Sequence, residues 1–145
     1  MTISPRTRRV GLLAALALAL VGAAQGVPVS TANGVYTRQQ ADQGRDLWAY
    51  ACQSCHVPTQ HSGADFRGRW FGRTLGELFG YLRREMPQTD PGTMSDDEYA
   101  ALLAHLMRIN GMPAGPRTLA ADSASLHRIR IDSVATAPTP PGSRR

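Results

Sequence analysis

The sequence predicts a small all-α domain. Three segments each open with a helix-starting pattern, and no segment shows strand alternation. The first is Thr37-Arg-Gln-Gln40, followed by Ala41 to Ala51. The second is Thr74-Leu-Gly-Glu77, running to about Glu85. The third is Ser95-Asp-Asp-Glu98, followed by Tyr99 to Asn110. In each, a hydroxyl is placed to accept from the N3 amide while Gln or Glu reaches back. Asp96, Asp97 and Glu98 suit the positive end of a helix, and Gly111 is a suitable stop. Leu102, Leu103, Leu106 and Ile109 recur at helical spacing. The stretch between His56 and Thr74, rich in Gly, Arg and polar residues, reads as loop. Met86 to Gly92 reads as a second loop, stiffened by Pro87 and Pro91. After Pro113 the pattern loosens, although Leu119, Leu126, Ile129 and Ile131 offer a short segment the means to pack back. Residues 134–145 have the composition of a disordered tail.

The N-terminus has the make-up of a secretory signal peptide. Arg6, Arg8 and Arg9 precede an uncharged run from Val10 to Ala24, and small residues follow. The run is short against the roughly 20 residues of a membrane span, so an uncleaved anchor is the weaker reading. Residues 1–26 are therefore set aside, 27–116 are expected to form the folded domain and 117–145 a partly disordered extension. Three arginines and no acids lie in 1–26, which leaves +2 of the formal +5. All 16 basic residues are arginine. So small a mature charge gives no ground for nucleic-acid binding, and stable membrane insertion is not expected.

Residues 52–56 read Cys-Gln-Ser-Cys-His and contain the only two cysteines of the chain. Two thiols three positions apart, with histidine next, form the attachment signature of c-type haem. On a helical turn Cys52 and Cys55 share a face, so both can form thioethers with the vinyl groups of one porphyrin. His56 can then turn its imidazole onto the iron. The competing readings are weaker. Structural zinc wants four protein ligands, and the other imidazoles, His61, His105 and His127, are irregularly spaced. A redox dithiol wants a strand before the motif. A disulfide closing so short a loop stabilises little.

A low-spin haem needs a second axial ligand, and a thioether favours ferrous iron. Met86, on the proline-stiffened loop, is the first candidate and Met112 its main competitor. Met107 reads as core and Met94 as a hydrophobic staple before a helix. His61 is too close to His56 in sequence to reach the opposite face. His105 reads as a packing residue and His127 as solvated.

With these residues in place, the chain resembles a class I cytochrome c over residues 37 to about 116. The likeness rests on Gly44-Arg-Asp-Leu-Trp48 before the haem motif, on Met86-Pro87, and on Leu102 to Ile109 as a final helix. It implies about three main helices wrapped around one covalently bound haem, with an irregular C-terminal extension. Trp70 to Phe79 and Asn110 to Gly115 are similar to the small cytochromes that accompany periplasmic quinoprotein dehydrogenases. In that subgroup the Met before Pro ligates the iron, which implies Met86. The resemblance also implies Trp70 beside a haem propionate, with plain core packing an equal reading. His105 stands where the family often has Tyr.

The expected function is periplasmic electron transfer through one covalent haem with His56 and Met86 as axial ligands. The chain would serve as soluble carrier or as a dehydrogenase subunit, without being an enzyme itself. Its partners would be redox proteins, a dehydrogenase as donor and an oxidase or another cytochrome as acceptor. The rival is a haem enzyme or gas-binding cytochrome with an open sixth position. A third reading is a structural or targeting subunit working through residues 116–145.

Overall fold

The computed structural model describes residues 29–132. The expected signal peptide and the disorder expected of 134–145 lie outside the described residues. Within them are helices α1 (Arg38–Ala51), α2 (Gly63–Trp70), α3 (Leu75–Glu85), α4 (Asp96–Ile109) and the single turn α5 (Ser123–Leu126). Two short strands, β1 (Val29–Ser30) and β2 (Ile129–Arg130), pair in parallel. The fold is all-α, as the sequence predicts.

Each of the three expected helices starts at its hydroxyl. Ser95 and Glu98 form a complete reciprocal box, and so do Thr74 and Glu77. At α1 only half of the box forms. Thr37 accepts from the Gln40 amide at 3.2 Å. The Gln40 side chain instead turns inward, donates to Leu119 O at 3.0 Å and accepts from Leu119 N at 2.9 Å. A buried main chain with both groups unmet outcompetes a half-exposed cap.

Helix α4 is the central element, buried continuously from Tyr99 to Met107. On one side it packs on α1, whose buried face is Gln40, Ala41, Gly44 and Trp48. Gly44 sits at the closest approach, and a Cβ there would collide with the Ala101 carbonyl. Helix α3 also packs on α4 through Phe79, edge-on to Tyr99.

One local expectation is corrected. Residues 63–70, read as loop, form α2. Phe66 and Trp70, one helical turn apart, are its buried residues, and the polar and glycine content lies on exposed positions. Its start is tied to α4, since the Gly63 amide donates to Asn110 Oδ1 at 3.1 Å. His127, expected in solvent, is exposed but lies against Gly76, with Nδ1 3.2 Å from Thr74 Oγ1. The chain beyond 116 packs back as far as Asp132. Leu119, Leu126 and Ile131 are buried. Ile131 exchanges main-chain bonds with Gly72 and Arg73, and the Thr31 hydroxyl donates to Asp132 O and accepts from the Asp132 amide.

Candidate cofactor site

The Cys-Gln-Ser-Cys-His motif is the continuation of α1. The Cys52 amide donates to Trp48 O, and Cys55 and His56 amides both donate to Cys52 O, at 3.1 and 2.9 Å. This turn brings Cys52, Cys55 and His56 to the wall of one cavity of about 270 Å³. Both thiols are free; Cys52 is half-buried and Cys55 exposed. Burial pushes the Cys52 thiol up, and Cys55 adds to the shift.

Phe66 and Trp70 of α2, Leu78 and Leu82 of α3, and Leu102 and Leu106 of α4 give the cavity its apolar lining. Met86 lines it too, from the loop after α3. That loop is held to α4 by Tyr99, whose hydroxyl donates to Met86 O at 2.7 Å and accepts from the Gly92 amide at 3.2 Å. Met94 is a second thioether on the lining. Met112 is buried away from it, and its carbonyl accepts from Tyr36 Oη at 2.7 Å. Met107 is core.

Trp70 both lines the cavity and packs. Tyr81 lies 5.5 Å from its ring and the Arg73 guanidinium 4.9 Å. A second hollow of about 410 Å³ shares His56, His61, Phe66, Arg69 and Trp70 with the first and adds Gln60 and Asp65. The five residues singled out from sequence, Cys52, Cys55, His56, Trp70 and Met86, thus meet at one cavity.

Sequence reasoning missed most of the α2 contribution. The one-turn spacing of Phe66 and Trp70 was the available signal. It also set His61 aside. His61 lines the cavity with its ring 4.7 Å from that of His56 and 5.2 Å from that of Trp48. Burial, His56 and Arg69, in that order, hold its pKa below the usual imidazole range. Among the described residues two buried side-chain polar atoms have no hydrogen-bond partner, His61 Nε2 and Trp48 Nε1.

The residues fit a haem. A flat apolar ring needs apolar walls, two thiols at one edge and an imidazole next to them, and the cavity offers all of these together with thioethers. Among the described residues no three His, Cys, Asp or Glu side chains gather as a metal cluster, so the multi-ligand zinc arrangement is not assembled.

Residues 39–106 match the family model described as cytochrome C oxidase, cbb3-type, subunit III. No curated protein and no solved structure matches the chain. The matched span runs from the first turn of α1 to the last turn of α4 and contains all five site residues. Residues 39–106 are therefore a c-type cytochrome domain with the all-α cytochrome c fold, an electron-transfer module whose cofactor is covalently bound haem c.

Proposed function

We propose that this chain is an exported, periplasmic electron-transfer protein that is not itself an enzyme, with Cys52 and Cys55 as thioether anchors and His56 and Met86 as axial ligands. The observation that carries the reading is the single cavity onto which the Cys-Gln-Ser-Cys-His turn and the Met86 loop both open. The haem, when bound, takes up and passes on single electrons. The protein holds the ring by two sulfurs, orients His56 through the turn, and steadies the Met86 loop through Tyr99. The apolar walls would keep water from a bound iron. Trp70 and Arg69, shared by the cavity and the adjoining hollow, are suited to the propionate edge.

Export is supported by the basic and apolar N-terminal run. No helix of the described residues is long and apolar enough to cross a membrane. The small-cytochrome resemblance favours a dehydrogenase as donor, whereas the description of the matching family names an oxidase subunit. A partner on the oxidase side is thus a second reading of the same electron path.

The test uses holoprotein isolated from the periplasmic fraction, its mass lacking about residues 1–26 and including one haem, together with whatever redox protein co-isolates. Met86→Ala should lose the iron–sulfur charge-transfer absorption of the ferric state, lower the reduction potential and admit carbon monoxide to the ferrous state. Met94→Ala should leave the absorption in place. Loss on Met94→Ala alone would move the ligand to Met94. Tight carbon monoxide binding to the unsubstituted protein would favour the open-site rival.

A further inference from the structure

A ligating histidine almost always gives its outer ring N–H to an acceptor, and that bond fixes the ring and raises its basicity. Three main-chain carbonyls near His56 in sequence already accept a hydrogen bond. Cys52 O accepts from the His56 amide at 2.9 Å, Val57 O from the Gln60 amide at 3.0 Å, and His61 O from Asn110 Nδ2 at 2.9 Å. Among the described residues one buried imidazole nitrogen nearby lacks a partner. His61 Nε2 has no partner, and the His61 ring stands 4.7 Å from the His56 ring at 84°. A neutral imidazole has one nitrogen that accepts and one that donates.

The position of His61 is built. Asn110, at the end of α4, donates to His61 O and accepts from the Gly63 amide, so it clamps the main chain on both sides of Ser62. Two rings this close and nearly perpendicular leave no space for an iron and a porphyrin plane between them. His61 is therefore on the same side of the cofactor as His56 and is no candidate for the sixth position.

We propose that His61 is the positioning partner of His56, its Nε2 accepting the hydrogen bond from the outer ring N–H of the axial histidine. The proposal rests on His56 as axial ligand. An imidazole acceptor there gives His56 more negative character, favours ferric iron and lowers the reduction potential. Trp48 Nε1, a donor only, is the competitor for the same nitrogen, with its ring 5.2 Å from His61.

The experiment is nitrogen NMR of ferrous holoprotein labelled with ¹⁵N in histidine and tryptophan. A nitrogen–nitrogen coupling across the hydrogen bond between the His56 and His61 rings is expected. His61→Leu should shift the ferric–ferrous balance about tenfold toward ferrous. His61→Gln, which keeps an acceptor, should restore part of the difference. Coupling of His61 to the Trp48 indole overturns the proposal, as does equal, unshifted potential in both variants. A His56 whose signals show iron ligation but no coupling overturns the partner assignment alone. A His56 that is not ligated overturns the axial assignment with it.

Discussion

His105 stands at the contact of α1 and α4, where Gly44 gives it room. Its Nδ1 lies 3.3 Å from Arg108 Nη2. A guanidinium can only donate, so Nδ1 accepts and the ring is neutral. Arg108 also donates to Asp42 on α1 at 2.7 Å. Burial first, then Arg108 and Arg45, hold the His105 pKa below the usual imidazole range. In the unfolded chain the same ring takes up a proton as pH falls through about 6.5, while the native ring stays neutral. The unfolded state then binds more protons, so stability declines from about pH 6.5 downward, until the depressed native value is reached. Above that window His105 contributes no pH dependence. His61, depressed chiefly by burial, adds a slope of the same sign. Denaturant midpoints of the holoprotein at about pH 7.5 and about pH 5 should therefore differ less in His105→Gln than in the unsubstituted protein; an unchanged difference would contradict this account. The sequence identified His105 as a packing residue. Its charge state depends first on burial, then on Arg108 and Arg45, and only the helix packing supplies the burial and brings Arg45 to it.

At the scale of elements, helix starts were legible because a cap is local. A hydroxyl and a carboxylate three residues on satisfy each other wherever the segment lies. The exception at Gln40 is equally instructive. Its amide leaves the cap because the Leu119 main chain, 79 residues away, is buried beside it. Gln40→Leu should cost about 2–3 kcal/mol, since a buried N–H and C=O both lose their partner. Chemical unfolding measures this, and a loss no larger than that of a surface substitution would show that water meets the Leu119 groups. Helix α2 was hidden for the opposite reason. It is short, its burial rests on Phe66 and Trp70, and its anchor is Asn110, the C-cap of α4, rather than a residue of its own.

Across the whole molecule, the segment after Gly115 closes the fold. Gly115 lies so near Gly34 that a Cβ would meet its carbonyl, and the Gly115 amide donates to Tyr36 O at 2.7 Å. Farther on, Leu119, Leu126 and Ile131 are buried, and β2 pairs with β1. Each such side chain contributes about 1.5–3 kcal/mol, and the three together rival the about 5–15 kcal/mol net stability of a domain. A holoprotein ending at residue 116 should unfold far below one ending at 132 in a thermal scan; equal midpoints would show that the segment is dispensable. A targeting role for the tail is best tested with the chain that keeps residues to 132. By itself, the sequence determined the cofactor class, the all-α fold and three helix starts, because thioether spacing, helical periodicity and capping act over a few residues. The tertiary structure decided which side chains line the cavity, placing Met86 and Met94 on it and Met112 away from it, and bringing His61 against His56. Those outcomes depend on how the helices and the loop after α3 pack around the motif, and contacts between distant segments leave no periodic trace in the chain.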